Sequence, residues 1–234
     1  MSHKKQGSGN NWAHGYQTYG CEVQEEILNL ARKEVERCDW FSGFLVTMSL
    51  AGGTGSGVGA YMTHCLHDTF PDAFIINQVV WPYSTGEVIL QNYNTVLTLS
   101  HLYQSSDAII ILENDHLNQI CTKLLGLKDV SFNDINKLIS HKLASALQPA
   151  FSGTGCTGPN VLGNLVTSLC CHPSYKLLSI KNIPQISKKS MDYTTYVWPS
   201  LLKHLRQMLI ADAALEEGRI LQLITTSKYF IVIS

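Results

Sequence analysis

The spacing of apolar and polar residues alternates along this chain between strand-like and helix-like patterns. This alternation predicts a succession of strands and helices. Short apolar runs flanked by Gly or polar residues indicate buried strands at 43–50, 73–81 and 108–112. Apolar residues at helical spacing, with charges opposite, indicate a helix over 21–38, and similar patterns indicate further helices near 59–70, 87–103, 114–125 and 132–147. This order predicts an α/β fold: a parallel sheet flanked by helices, with right-handed crossovers.

The amino-acid composition of the sequence changes after about residue 150. A Gly/Ser/Thr/Pro-rich stretch at 151–160 is typical of an interdomain connection or an exposed loop. Residues 175–183 then read as a strand and 199–209 as a helix with Pro199 in its first turn. The last residues, "RILQLITTSKYFIVIS", are strongly β-prone, so we expect them to need a partner strand.

Composition narrows the function classes. The chain has 234 residues, 45% of them hydrophobic, which is enough for a sizeable core. Its net charge is −1 and no segment concentrates Lys and Arg on one face, which argues against nucleic acid as a partner. The longest apolar runs are too short to insert into a membrane.

The cysteines and histidines favour an ordinary structural role. Seven cysteines without a C-x-x-C pair, after an amino-terminal stretch unlike a signal peptide, indicate a reducing, cytoplasmic setting with thiols buried as small apolar groups. His64 and His67 flank Cys65 on a predicted helix, but zinc needs three or four convergent ligands. We therefore interpret them as solvated or hydrogen-bonded helix residues and predict no metal ligands.

The stretch "LAGGTGSGVGAYM" at 50–62 follows a predicted strand and precedes a predicted helix. This is the architecture of a phosphate-binding loop, in which bare backbone N–H groups approach an anion at a helix start. The Walker pattern does not match, because no Lys follows Gly57. The dinucleotide pattern does not match, because Val58 stands where its last Gly is required. The nucleophile elbow does not match, because the residues two positions before and after Ser56 are not glycines. A tight glycine turn without a ligand is the alternative, and the position after a buried strand favours phosphate.

Several segments together resemble the tubulin family. "AGGTGSG" (51–57) resembles its signature loop, whose first residue is normally Gly, and "GSGNNWAHGY" (7–16) resembles its second phosphate loop. "LENDHLNQIC" (112–121) and "SFNDIN" (131–136) resemble the segments that contact guanine. The stretches 78–108 and 201–210 are most similar to the delta branch of the family, which is associated with centrioles and basal bodies. The likeness covers roughly residues 5–217.

The resemblance implies a set of nucleotide-binding residues. Three residues match the loop that caps the terminal phosphate: Ser8, Gly9 and Asn10. Seven match the loop that cradles the phosphates by backbone N–H groups and two hydroxyls: Ala51, Gly52, Gly53, Thr54, Gly55, Ser56 and Gly57. Four match residues around the ribose and base: Glu87 for the ribose, Asn114 and Asn136 as guanine readers, and Phe132 as a stacking ring.

Each of these residues also has an ordinary explanation. Turn residues, helix caps, surface amides or core account for any one of them, and only their joint order and spacing favours the site. The methyl group of Ala51, where the family has Gly, is tolerable only if that residue keeps a negative φ.

The resemblance also implies a domain organisation. Residues 1–150 match part of a Rossmann-like GTPase domain of tubulin type, 151–217 match the start of an α+β intermediate domain, and 218–234 match nothing in the family. Relative to the family, we expect the first strands, a loop beneath the α and β phosphates, an acidic loop serving magnesium and the carboxyl-terminal region to be missing. On that ground, we expect weak GTP binding.

The implied function is that of a GTP-binding cytoskeletal protein with Mg²⁺ beside the nucleotide. Its expected partners are other tubulin subunits and centriolar or basal-body proteins, and its expected places are the cytoplasm, the microtubule cytoskeleton, the centrosome, the cilium base and the nucleus. Asn164 stands where the family has an acid that acts on a neighbouring subunit's nucleotide, and an amide cannot take up a proton as a carboxylate does. No catalytic residue is therefore expected in this chain.

Two alternatives remain. One is an interaction module that binds tubulin or a centriolar protein without nucleotide. The other, a Gly-rich dehydrogenase relative, is disfavoured by the failed dinucleotide pattern.

Overall fold

A computed structural model describes residues 7–85, 89–147, 151–152, 155–156, 161–183, 197–216 and 230–233. The strands are β1 (Gly43–Ser49), β2 (Phe74–Trp81), β3 (Ala108–Glu113), β4 (Phe151–Ser152), β5 (Gly155–Cys156), β6 (Leu177–Leu178), β7 (Ile180–Ile183) and β8 (Phe230–Ile233). The α-helices are α1 (Cys21–Glu36), α2 (Gly59–Thr69), α3 (Gln91–Ser105), α4 (Asn114–Gln119), α5 (Phe132–Leu147), α6 (Val161–Leu169) and α7 (Trp198–Glu216).

The chain forms two compact units. The first comprises residues 1–113 and 149–176, and the second comprises 114–148 and 177–234. No helix among the described residues combines the length and the apolar character that a membrane span requires.

A parallel sheet organises the first unit. β2 lies between β1 and β3, with Gly43 opposite Phe74 at one edge and Ile76 opposite Ala108 at the other. β2 is buried along most of its length, as its nearly continuous apolar sequence predicts for a strand covered on both faces. The predicted parallel α/β sheet is confirmed.

Helix boundaries differ from the sequence prediction at several places. π-helical segments, His14–Gly20 and Thr54–Val58, precede α1 and α2 without a break, so both helices begin earlier than the apolar pattern indicates. A third π-helical segment, Ile120–Leu124, follows α4. The predicted strand at 175–183 is interrupted at residue 179, and α7 extends beyond the predicted helix at 199–209.

The core of the first unit packs helices against one face of the sheet. One cluster joins the sheet to α2, α3 and the amino-terminal segment, and its members are Trp12, Met48, Leu50, Ala60, Val79, Leu102 and Ile109. A second cluster joins α1 and α2 to β2 through Leu28, Met62, Cys65, Leu66 and Ile75. Trp12 therefore anchors its segment in the same core that supports the end of β1.

The prediction that the cysteines are buried holds only in part. Cys65 and Cys121 are buried, as small apolar groups would be, whereas Cys21, Cys38 and Cys171 are exposed. Cys38 and Cys171 lie just after the ends of α1 and α6, and Cys21 lies where the π-helical segment His14–Gly20 meets α1.

The second unit contains a parallel strand pair. β8 pairs with β7, with Ile180 opposite Phe230 and Ile183 opposite Ile233. The buried Lys142 of α5 donates from Nζ to the carbonyl of Ile180 at 3.0 Å, which satisfies the ammonium group inside this unit. The β-prone end of the sequence thus has the partner strand that its composition requires.

Candidate functional site

The segment that we call the Ser8 loop, residues 7–11, makes a tight reversal before a helix. Gly9 and Asn10 both have left-handed backbones, with φ of 61° and 58°. Asn tolerates this conformation better than most residues with a side chain. The N–H of Asn11 donates to the carbonyl of Ser8 at 3.1 Å, and the Asn11 side chain accepts from the N–H of His14 at 3.2 Å. The loop is therefore closed by its own hydrogen bonds and caps the helix that follows.

The segment that we call the glycine loop, residues 50–57, turns from β1 into the helix ending at Thr69. The N–H of Leu50 donates to the carbonyl of Val80 at 3.2 Å, which fixes the start of the loop beside β2. Within the described residues, Asn10 is the one non-glycine residue with a left-handed φ, so the φ of Ala51 is negative. The condition for accommodating the Ala51 methyl group is met.

Hydroxyl groups of the glycine loop are engaged inside the protein. The buried Ser56 hydroxyl donates to the carbonyl of Gly52. The exposed Thr54 accepts from the N–H of Ser8 at 3.2 Å, and the hydroxyls of Thr54 and Ser8 lie 3.1 Å apart. The predicted role of Thr54 and Ser56 as phosphate donors stays a prediction, and the proton of Ser56 is directed to Gly52 in this structure.

The structure brings the two loops together. Besides the contacts of Ser8 with Thr54, the side chain of Asn94 on α3 donates from Nδ2 to the carbonyls of Asn10, at 2.8 Å, and Ala51, at 2.9 Å. Ser8, Asn10, Ala51 and Thr54, four of the residues named from the resemblance, thus belong to one hydrogen-bonded arrangement.

Close backbone approach explains part of the glycine pattern. A Cβ atom on Gly53 would lie 2.6 Å from the carbonyl oxygen and 2.7 Å from the nitrogen of Asn11. A Cβ atom on Gly57 would lie 2.9 Å from the nitrogen of Tyr16, and one on Gly15 would lie 2.9 Å from the carbonyl carbon of Gly53. These three glycines are needed where the glycine loop packs against the Ser8 loop and the π-helical segment His14–Gly20, whatever ligand the site takes.

Two other glycines border open space. A Cβ atom on Gly9 would meet nothing within 4 Å, and one on Gly52 would meet only the Ser49 hydroxyl, at 3.9 Å. Neither loop contains Asp or Glu, and each leads into a long helix, whose first N–H groups favour an anion. The donor set and the open backbone at Gly52 therefore fit a phosphate group.

The residues predicted to read guanine belong to the second unit. Asn114 is the first residue of α4 and half-buried, and Asn136 lies exposed on α5, where its carbonyl accepts from the Ser140 hydroxyl at 2.8 Å. Phe132, the first residue of α5, has 76% of its surface exposed and is not a core residue. That these three converge on one nucleotide with the two loops stays a prediction.

The start of α5 is fixed by a capping box. The Ser131 hydroxyl and N–H both donate to the Asp134 carboxylate, and the Asp134 N–H donates back to the Ser131 hydroxyl at 3.3 Å. The hydroxyl of Ser131 is the main cause that lowers the pKa of Asp134 from its ordinary value of 3.8. The capping box defines the first turn, which carries Phe132, and the helix positions Asn136.

The remaining predicted positions make no described contact with the two loops. Glu87 lies outside the described residues. Asn164 is exposed on α6, and its proposed place at a subunit contact stays a prediction. No group of three or more His, Cys, Asp or Glu side chains in the described part of the chain is arranged to hold a metal ion. Magnesium in nucleotide sites usually keeps several waters and is held by one or two carboxylates together with the phosphates. Mg²⁺ beside GTP therefore stays a prediction.

Asn94 was missed by the sequence interpretation. The helical pattern over 87–103 does not single it out, although it is buried and its side chain contacts both loops. The available signal was the cluster of Asn94, Thr95 and Thr98, because Asn and Thr are weak helix formers and need a reason to recur on one helix.

Comparisons with known proteins show the family to which this chain is similar. The family model described as "Tubulin/FtsZ family, GTPase domain" matches residues 1–122. The chain is 54% identical over 217 residues to the human tubulin delta chain, covering 92% of this chain and 48% of that protein. It is 52% identical over 217 residues to the mouse tubulin delta chain and 30% identical over 233 residues to the tubulin beta-1 chain of Chondrus crispus. The chain spans about half the length of these relatives.

Proposed function

Because this chain belongs to the tubulin family, we propose that it is a GTP-binding cytoskeletal protein of the delta type. The joined pair of loops supports the proposal. Hydrogen bonds link Ser8 to Thr54 and Asn10 to Ala51 through Asn94. Gly52 borders open space, and neither loop contains an acidic side chain. The relatives named delta chain support the branch. We propose that it acts with other tubulin subunits and centriolar or basal-body proteins in centriole and cilium assembly.

Each part of the site has a physical role in this proposal. The N–H groups of the glycine loop cradle the phosphates, and the Ser8 loop caps the terminal phosphate. Asn114 and Asn136 each offer a donor and an acceptor to the guanine edge, Phe132 offers a stacking face, and Glu87 accepts from ribose hydroxyls. GTP, with Mg²⁺, supplies a terminal phosphate whose presence or loss changes the contacts between subunits.

Hydrolysis of GTP at a subunit contact is a separate proposal. Asn164 is exposed on α6, as a residue that acts on a neighbour must be. Its amide cannot serve as a base, so we propose that this chain stimulates hydrolysis in a neighbouring subunit only weakly.

Titration with a fluorescent GTP analogue tests the nucleotide proposal. We expect saturable, Mg²⁺-dependent binding that GTP displaces and ATP does not, while the weak affinity anticipated from the sequence stays a prediction that the same titration measures. Thr54→Val removes the hydroxyl that joins the loops, and we expect it to weaken binding several-fold, since one hydrogen bond contributes about 1 kcal/mol. Thr47→Val, at an exposed position on β1, is the matched control. Absence of saturable binding by the folded chain at millimolar GTP would overturn the proposal.

A nucleotide-independent interaction module is the second candidate. An exposed apolar row on α3 favours it, with 68% of Tyr93, 67% of Val96 and 41% of Leu97 accessible. Size-exclusion chromatography with tubulin, with and without GTP, separates the two candidates: a complex that forms equally well without nucleotide supports the module.

A further inference from the structure

Asn94 connects the two loops from a rigid element. The residue is only 4% exposed, and its backbone belongs to α3. Its N–H donates to the carbonyl of Leu90 at 3.0 Å, and its carbonyl accepts from the Thr98 hydroxyl at 2.7 Å. We propose that Asn94 is a positioning residue that holds the Ser8 loop against the glycine loop and so sets the preference for a nucleoside triphosphate over a diphosphate. This inference rests on the proposed function, in which the Ser8 loop holds the terminal phosphate.

The chemistry of the contact requires an amide. Both partners of Asn94 are carbonyl oxygens, those of Asn10 and Ala51, so the side chain must present donors to both. The NH₂ group of Asn has two N–H donors, one for each carbonyl. Asp has nearly the same shape but would place a carboxylate against the same two oxygens, which repel it.

Fixing the two carbonyls fixes the N–H groups on the other side of each peptide. In a trans peptide, C=O and N–H point in opposite directions. The bond to Ala51 therefore sets the direction of the Gly52 N–H, which lies in the open part of the loop. The bond to Asn10 sets the direction of the Asn11 N–H, which closes the Ser8 loop on the carbonyl of Ser8.

The Ser8 loop depends on such support more than the glycine loop does. It contains two consecutive left-handed residues, and for Asn10, which has a Cβ atom, that conformation is less favourable than for a glycine. The glycine loop is additionally held by β1 and by the N–H of Leu50 on Val80. Loss of the Asn94 donors should therefore release the Ser8 loop first, and binding of the terminal phosphate with it.

Paired affinities for GTP and GDP test the inference. We expect Asn94→Asp to weaken GTP binding about tenfold or more, as the loss of about 1.4 kcal/mol predicts, and GDP binding less than threefold. Asn94→Ala, which admits water to both carbonyls, should lie between Asn94→Asp and the unsubstituted chain. Asn92→Asp carries the same charge change at an exposed position of α3, and we expect it to alter neither affinity. Equal losses for GTP and GDP, or no loss, would overturn the inference.

Hydrogen exchange gives a second measurement that needs no nucleotide. In Asn94→Asp, the amides of Ser8 and Asn11 should exchange at least tenfold faster, while amides of β2 keep their rates. Unchanged exchange at Ser8 and Asn11 would reject the positioning role even if the chain binds GTP. If the unsubstituted chain does not bind GTP but the variant exchanges faster, the proposed function is rejected. The contact of Asn94 with the two loops is then supported on its own.

Discussion

Glycines at neighbouring positions of the glycine loop differ in what surrounds them. Gly53 faces the backbone of Asn11 so closely that no side chain fits without moving one of the loops. Gly52 borders open space and has no positive φ, so an alanine there meets no backbone obstacle. Packing explains the first glycine, and the second borders the open space where we propose that a phosphate binds.

We expect Gly53→Ala and Gly52→Ala to separate stability from binding. Gly53→Ala should lower the free energy of unfolding by about 1–3 kcal/mol, because its methyl group overpacks the contact between the loops. Gly52→Ala should change stability little but weaken GTP binding, because its methyl group would occupy the open space where we propose that phosphate binds. Chemical denaturation and GTP titration of both variants measure this, and equal stability of the two would contradict the packing explanation.

At the scale of elements, β2 contains two adjacent buried amide side chains that differ in their hydrogen bonding. Asn77 donates to the Thr63 hydroxyl at 3.1 Å and accepts from the Ser106 hydroxyl at 2.9 Å, which ties β2 to α2 and to the end of α3. Gln78 is equally buried, yet within the described residues its amide atoms have no hydrogen-bond partner. Because the two residues are adjacent on one strand, their side chains point to opposite faces of the sheet.

Apolar replacement of the first amide should therefore lower the free energy of unfolding, whereas apolar replacement of the second should not. Asn77→Leu should lower the free energy of unfolding by about 1–3 kcal/mol, because it leaves the buried hydroxyl of Ser106 without its acceptor. Gln78→Met keeps a similar volume and removes an unpaired amide, so we expect stability to be unchanged or higher. Thermal and urea unfolding of the two variants check the prediction, and a larger loss for Gln78→Met would show that its amide has a role that this geometry lacks.

The same elements show how much of the fold was accessible from sequence. The strands β1 to β3 and the helices α1, α2 and α5 follow from apolar periodicity, because each buries one face or both. The π-helical segments before α1 and α2 were not predicted, since they are stabilised by contact between Gly15, Gly53 and Gly57 rather than by local preference.

For the whole molecule, the parallel pair of β7 and β8 joins residues about 50 positions apart in sequence within the second unit. Its register places apolar Ile180 and Ile183 opposite apolar Phe230 and Ile233. An unpaired strand of this composition favours association with other chains, so the pairing protects both segments.

Replacing residues 230–233 by Ser-Gly-Ser-Gly tests this pairing. We expect the amides of β7 to exchange with solvent at least tenfold faster and the chain to associate more readily, because the edge of β7 loses its partner. The amides of β1 to β3 should keep their exchange rates, because they belong to the other compact unit. Hydrogen exchange and light scattering provide the readouts, and unaltered protection of β7 would contradict the pairing.

By itself, the sequence determined the α/β class, the parallel sheet, the family and the identity of the two loops. These follow from local periodicity and from motifs whose residues are neighbours in the chain, such as Ala51 to Gly57. β2 and β3 are apolar along most of their length because both of their faces are covered, whereas β1, which was also predicted to be buried, exposes Leu45, Thr47 and Ser49.

Only the tertiary structure decided which groups join the loops and which glycines are closely packed. Asn94 lies more than 40 residues from Ala51 and more than 80 from Asn10, and its role depends on the two carbonyls that face it. Gly52 and Gly53 are identical in sequence terms, and their difference arises from the Asn11 backbone beside one of them. Such contacts form between distant segments that fold against each other, so no local pattern in the sequence encodes them.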